Sequence, residues 1–381
     1  MTAPAALDAC VDLAAIAHNV GVVGRRSGAP VLAVVKADGY GHGAVPVARA
    51  ALDAGAVALG VATVAEALAV RSGGVRAPLI AWLHTPSTDF APALAADVEI
   101  VVSSGQQLDA VLAAAQTTGT PARAGVKIDT GLGRNGVGPH DWPDVRDALV
   151  RAVADGTIVL GTAMCHLAHG DIPDHPLNDE QAARLDACVA ELTALGAPPD
   201  VVHISNSAAA LARPDLSRDM VRAGIAIYGF SPLEREHGDL GLVPAMTLSA
   251  EVSAVKRVSA GQGVSYGHTW VAPRDTTLGL LPAGYADGVP RLLSNRLRVA
   301  VGGRIVPGVG RVCMDQTVVD LGPSTDVRPG DRAVLFGDGA EGGPTATEWA
   351  DTIGTIDYEI VSGVRGRAVR RYVDSRDEVG T

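Results

Sequence analysis

At 381 residues the chain is long for one domain and suits two, and its 47% hydrophobic residues can fill large cores although aromatics make up only 3%. The net charge is −11, 31 basic against 42 acidic residues with no basic block, which argues against nucleic acid or an anionic membrane as a partner. Cys10, Cys165, Cys188 and Cys313 are widely spaced with no CxxC pair, and neither a charged leader nor an uninterrupted apolar span is present, so a soluble cytoplasmic protein without disulfides or bound metal is the expectation.

The opening Ala9–Leu13 is short and β-compatible. After Pro30 comes an apolar run, Val31–Val35, which reads as a buried strand, and Lys36 is the first polar side chain beyond it. Three glycines follow within seven residues, placing Lys36 at the carboxyl end of a strand that stops in a tight turn. A lysine there is usually only a solvated strand end. This chain, however, carries its positive charge on arginine and keeps three lysines, Lys36, Lys127 and Lys256. An amine held at the mouth of a buried strand is partly desolvated, which lowers its pKa and suits it to nucleophilic work.

Seven further apolar runs follow: Ala58–Ala62, Pro78–Leu83, Val98–Val102, Ala124–Ile128, Ile158–Cys165, Val201–Ile204 and Met220–Ala226. Helical patterns alternate with them. The clearest is Asn178–Leu195, with Asn178 as the expected N-cap, Gln181 three residues on, and Gly196 and a Pro-Pro pair as the stop. Eight such repeats predict a (β/α)8 TIM-like barrel over residues 14–242, with a doubly wound open sheet as the alternative. Polar groups cluster at the ends of these runs: Lys36, then Lys127 to Arg134, His166, His203 to Ser207, and Arg222 to Ile225. In a barrel those ends are where catalytic groups sit.

From residue 243 to 381 the pattern changes to short β runs: Met246–Val258, Leu297–Val301, Arg304–Val309, Thr317–Leu321 and Arg332–Phe336. Glycine turns separate them, and one helix, Ala346–Ile353, follows. This reads as a separate, mainly β domain that residues 1–13 could join. The stretch from Arg365 on is arginine-rich and carries no pattern.

The ten residues Val34–Gly43, VVKADGYGHG, match over their whole length the cofactor-attachment signature of the pyridoxal-phosphate-dependent alanine racemases (fold-type III). KIDTGLGRNG, HISNSAA, VRAGIAIYGFSP, VSYGHTW, GYADG, RVCMDQ and IDYE match further motifs in order, so the chain resembles that family over nearly its full length. The resemblance implies that Lys36 carries pyridoxal 5'-phosphate and that Tyr40, Ser207, Gly224, Ile225 and Tyr358 hold its phosphate. Arg222 resembles the arginine facing the pyridine nitrogen, and His166 the histidine linking that arginine to a catalytic tyrosine. Tyr266 resembles that tyrosine, a second base supplied by the other subunit of a homodimer together with Met314 and Tyr285. Arg134 resembles a substrate-binding arginine and Lys127 a lysine that is carbamylated in many members. Asp171, Arg291 and Arg311 resemble residues of the substrate access corridor. Trp82 and Asp315 lie near motif positions without an assigned role, and His42 and His268 read as structural.

The implied activity is two-base racemisation of L- and D-alanine, an isomerase reaction supplying D-alanine for peptidoglycan. A broad-specificity amino-acid racemase acting on serine or a longer side chain is the close alternative. A non-catalytic cofactor carrier would not need Tyr266, and a decarboxylase would not be served by Arg222, because a guanidinium donates a hydrogen bond without protonating the ring. Two departures from the family pattern, Ala223 in place of a common proline and the bulky His268-Thr269-Trp270, touch no assigned role.

Overall fold

The computed structural model describes residues 5–233 and 238–375, which divide into two compact units. One comprises Ile16–Gly39 with Ala44–Leu242; the other comprises Met1–Ala15, Tyr40–Gly43 and Val243–Thr381. Strand β1 (Leu7–Asp12) belongs to the second unit.

The first unit holds β2 (Val31–Val34), β3 (Ala58–Val61), β4 (Leu79–Ala81), β5 (Glu99–Val102), β6 (Ala122–Lys127), β7 (Ile158–Met164), β8 (Val201–His203) and β9 (Val221–Ala223). All pair in parallel, in the order β8-β7-β6-β5-β4-β3-β2-β9. Two hydrogen bonds draw the outer strands together: Asp219 N–H donates to the Val202 carbonyl and Arg222 N–H to the Ser205 carbonyl, each 3.0 Å. The sheet is thus a near-closed eight-stranded barrel with helices, and the open-sheet alternative is set aside.

Each apolar run overlaps one strand, because helices cover the outer face while side chains fill the inside, leaving no polar face to alternate with. Inside, Gly60 makes room for Trp82: a Cβ at residue 60 would lie 2.3 Å from the indole ring. Trp82 therefore packs the barrel. Glu99 is buried at the amino end of β5, and Arg123 pairs it at 2.9 Å while reaching Asp200 at 2.9 Å.

One helix start differs from expectation. The helix runs Leu177–Ala194 with Pro176 as its cap, so Asn178 lies inside its first turn. The buried Asn178 amide instead donates to the carbonyls of His169, Ile172 and Pro173. Gln181 accepts from Ala168 N–H and donates to Thr130 Oγ1 and the His166 carbonyl. Both side chains tie down the loops after β6 and β7, a tertiary demand that a capping pattern cannot express.

The second unit contains β10 (Met246–Glu251), β11 (Ala254–Val258), β12 (Gly263–Val264), β13 (Trp270–Val271), β14 (Thr276–Leu281), β15 (Arg298–Val301), β16 (Arg304–Pro307), β17 (Thr317–Gly322), β18 (Arg332–Phe336) and β19 (Val369–Val373). They form a six-stranded sheet, β16-β15-β18-β10-β1-β19, a three-stranded sheet, β11-β14-β17, and the β12-β13 ribbon. The run Met246–Val258 is therefore two strands in different sheets. The arginine-rich stretch after Arg365 also carries structure: Val369–Val373 pairs in parallel with β1, and Arg371 binds the buried Asp8 at 3.1 Å. Residues 376–381 of that stretch lie outside the described residues. Phe336 and Trp349 meet edge-to-face at 5.1 Å in the core of this unit.

Candidate active site

Lys36 follows the end of β2 after one residue, Val35, and the chain behind it turns the unusual way. Ala37, Asp38 and Gly39 have φ of 52°, 51° and 62°, and Tyr40 continues at 51°. A left-handed turn with three non-glycine residues costs roughly 1–2 kcal/mol for each of them. It persists because it is anchored: Gly39 N–H donates to the Val35 carbonyl (2.9 Å), Asp38 Oδ1 accepts Ala44 N–H (2.9 Å), and Glu66 accepts Ala37 N–H (2.8 Å). Burial, then the positive charge of Arg134, lowers the pKa of the partly buried Lys36 amine.

Arg222, on β9, is buried and makes five hydrogen bonds. It donates to the carbonyls of Cys165 (2.7 Å), His203 (3.0 Å) and Ile204 (2.9 Å), and to Nδ1 of His203 (2.7 Å) and His166 (3.2 Å). None of these partners is a carboxylate. Burial pulls Arg222 down to about 10, still well above neutrality, so it remains a cation. Because both imidazoles accept at Nδ1, each carries its proton on Nε2. Burial, followed by the Arg222 charge, holds both rings well below the usual histidine range, so both are neutral.

Lys127 ends β6, buried, its Nζ donating to Asn135 Oδ1 at 2.6 Å. Burial first, then Arg222 and Arg134, pushes its pKa down to about 8. Arg134 is exposed in the loop beyond it, and Asp171 is exposed after β7.

At the far ends of β8 and β9, the buried Ser207 Oγ accepts Gly224 N–H at 2.9 Å and Ala226 N–H at 3.4 Å. Ser207 opens the helix Ser207–Ala212, capped by Asn206, whose side chain accepts Ala209 N–H at 3.0 Å. Gly224 precedes the short turn Ile225–Tyr228. These converging N–H groups and hydroxyl suit a phosphate ester without a cation. Two fully buried polar atoms nearby on the chain, His203 Nε2 and Ser205 Oγ, have no hydrogen-bond partner among the described residues. A desolvated amine, a carboxylate-free buried arginine and a donor-rich cradle together fit pyridoxal phosphate.

The second unit carries the remaining candidates. Tyr40 is buried with its ring 6.1 Å from that of Tyr358, and burial raises its pKa. Tyr266 stands out, 71% exposed. It sits on a turn entered through Ser265, whose φ of 61° and ψ of −175° occupy a region used almost only by glycine. Ser265 is held there by its Oγ, which donates to the Arg311 carbonyl at 2.7 Å, while the bare Gly267 leaves room for the Arg311 guanidinium.

Tyr285 and Met314, also exposed, are fastened to each other. Tyr285 N–H donates to the Cys313 carbonyl and Ala286 N–H to that of Met314, both 3.0 Å. Gly284 permits this contact, since a Cβ there would lie 2.3 Å from the Met314 carbonyl oxygen. Arg367 then binds the buried Asp287 through two nitrogens and Asp315 through a third. Asp315, given no role from its sequence, is part of that clamp. Arg291 opens a short turn, Arg291–Leu293, on a cleft of about 650 Å³ shared with Tyr285 and Glu359.

The barrel thus gathers Lys36, Lys127, His166, Ser207, Arg222, Gly224 and Ile225 at its strand ends, with Arg134 and Asp171 in the loops beyond. The β unit gathers Tyr285 with Met314 and Tyr266 with Arg311. Two supporting residues escaped the reading of the sequence, Glu66 and Asn135, while Gln181 was read only as part of a capping pattern. For Glu66 a signal existed in Thr63-Val-Ala-Glu66, a helix-start pattern.

Comparison with known proteins identifies the family. The model of the alanine racemase N-terminal domain matches residues 11–232 and that of the C-terminal domain residues 245–372. The alanine racemase of Mycolicibacterium vanbaalenii is 60% identical over 370 residues, covering 97% of this chain and 95% of that protein. That of Mycobacterium tuberculosis is 55% identical over 372 residues, 97% of each. Among solved structures, alanine racemase from D-cycloserine-producing Streptomyces lavendulae superposes with a TM-score of 0.94 at 44% identity over 100% of both chains. The Bacillus anthracis enzyme, solved with L-Ala-P bound, gives 0.89 at 32% identity over 98% of this chain and 96% of that one.

A near-closed barrel presenting a desolvated lysine, followed by a mainly β domain, defines the protein's class as an amino-acid racemase, an isomerase. Within that class the chain belongs to the alanine racemase family, whose members depend on pyridoxal phosphate.

Proposed function

We propose that the protein interconverts L- and D-alanine in a homodimer with shared active sites, Lys36 serving one face of the α-carbon and Tyr266 of the partner subunit the other. The carrying observation is the division of the two bases: a desolvated amine inside the barrel, and a phenol displayed on a strained, exposed turn of the β unit. Bound pyridoxal phosphate supplies the sink for the electrons left by the broken C–H bond. Ser207 with the backbone of Gly224 and Ile225 would hold its phosphate, as would Tyr40 and Tyr358, and Arg222 would donate to its ring nitrogen.

A phenol near its reference pKa of about 10 is a weak base at neutral pH and needs a donor that favours its phenolate. His166 supports that role, because Arg222 occupies its Nδ1 and leaves the proton on Nε2. Arg134 binds the substrate carboxylate, with Met314 and Tyr285 of the partner subunit closing the pocket. Asp171, Arg291 and Arg311 line the access corridor.

Lys127 is poised for carbamylation. With its pKa near 8, about a tenth of the amine is neutral at pH 7. That form adds carbon dioxide, releases a proton and leaves a carboxylate facing Arg134. Intact mass in bicarbonate buffer is expected to show one added CO2 that is lost in K127A; a plain amine would remove this role.

The four cysteines are free thiols, which supports a reducing, cytoplasmic setting, and among the described residues no helix is long and apolar enough to cross a membrane. The product would serve peptidoglycan synthesis. Turnover of a panel of amino-acid enantiomers, with deuterium entry at the α-carbon, tests the assignment. Alanine is expected to exceed serine and longer side chains. Equal turnover across the panel would instead support the broad-specificity reading.

A further inference from the structure

Glu66 sits in the first turn of the helix Val64–Ser72, and its carboxylate is used beyond what that helix requires. The helix start is a complete capping box: Thr63 Oγ1 accepts Glu66 N–H at 3.2 Å, and Glu66 Oε2 accepts Thr63 N–H at 3.0 Å. Oε2 also takes Ala62 N–H at 2.8 Å. The other oxygen, Oε1, reaches back across 29 residues to the N–H of Ala37, at 2.8 Å. Ala37 is the first left-handed residue after Lys36, and β2 and β3 are neighbouring strands, so both carboxyl ends meet here.

We propose that Glu66 is the positioning residue of Lys36: it clamps the left-handed turn by its first N–H and places a negative charge beside the amine. Replacing that acceptor would leave a strained segment without its first anchor. The charges around Lys36 give the second half of the role its sign. Arg134 and Arg222 disfavour the ammonium form, Glu66 favours it, and the neighbouring His166 is neutral. Glu66 therefore keeps the amine from losing its proton too easily among cations. Nothing in the reaction requires Glu66 to touch substrate, so it acts through Lys36 alone.

The proposal rests on the reading of Lys36 as the cofactor-bearing base, and its test separates the two. The full-length chain freed of cofactor is treated with an amine-reactive acylating reagent across a pH series, and peptide masses resolve Lys36 from Lys127 and Lys256. That measurement reports the surroundings of the amine whether or not Lys36 carries catalysis. E66Q turns one acceptor oxygen into an NH2 group that must face a backbone N–H, and it removes the charge. The midpoint for Lys36 labelling is expected to fall by about one pH unit in E66Q. In the loaded enzyme the pH midpoint of the visible absorption band should move the same way, and kcat should fall about tenfold with KM little changed. E66D keeps the charge but shortens the reach, and should lie between E66Q and the native chain, so loss of folding in one variant leaves the other to decide. T63A weakens the same helix start without touching Ala37 and should leave the midpoint in place. A native midpoint in the Glu66 variants, or an equal displacement in T63A, would overturn the proposal.

Discussion

Y266F is expected to reduce alanine racemisation by about a thousandfold in both directions, the scale of a lost general acid–base group. The loss is symmetric in net turnover, because each direction needs one proton removed and one delivered on opposite faces. It is asymmetric in exchange: solvent deuterium should still enter at the α-carbon from one enantiomer only, the one whose hydrogen faces Lys36. A structural role for the tyrosine would slow both exchanges alike. The exposure of Tyr266 and the strain at Ser265 give this residue a purpose that its own fold does not supply. Sharing across subunits adds a sharper outcome. Inactive K36A and inactive Y266F protomers, unfolded and refolded together, should regain about a quarter of native activity, since half the random dimers are hybrids and each hybrid has one intact site of two. No recovery on mixing would place both bases in one chain and defeat the shared-site reading.

Replacing Arg222 should change which product forms as well as how fast. The guanidinium remains a cation in spite of its burial and gives away hydrogen bonds without giving up a proton. If Arg222 faces the ring nitrogen of bound pyridoxal phosphate, as proposed, it would donate a hydrogen bond without protonating the ring, which would leave a weaker electron sink and favour simple return of a proton. R222E puts in a carboxyl group that burial drives toward its protonated form, next to three carbonyl oxygens. Racemisation is expected to fall by about a hundredfold or more, while pyruvate appears from alanine in amounts matching the enzyme sites, the amino group staying with the cofactor. R222K keeps a positive charge but has three donors for five acceptors. It should lose rate without releasing pyruvate. Pyruvate at equal levels in both variants would show that ring protonation is not what Arg222 controls.

Lys36 was legible because two local signals coincide on it, a buried apolar run ending and a glycine turn beginning. The left-handed course of that turn was not, since Ala37 and Asp38 are ordinary residues whose φ values only their hydrogen-bond partners enforce. Arg222 was legible as a donor at a strand end, whereas its five acceptors come from two other chain segments, Cys165–His166 and His203–Ile204, brought to it by the barrel. Asn178 and Gln181 matched a capping pattern and serve other loops, because a side chain bonds whichever backbone group folding leaves unsatisfied. Strand Val369–Val373 carried no readable alternation, and it exists because β1 offers it an edge.

Taken by itself, the order of residues decided the alternation of eight buried runs with helices, the change to β structure after residue 242, and which side chains are candidates for the chemistry. These depend on periodicity and on side-chain chemistry, which are properties of neighbours along the chain. The tertiary structure alone decided that Glu66 meets Ala37, that Arg222 finds no carboxylate, and that Asp287 and Asp315 share Arg367. It also decided that Tyr266 is turned outward through a backbone conformation a serine avoids. Those features depend on which distant groups are desolvated together, and burial is a property of the folded whole.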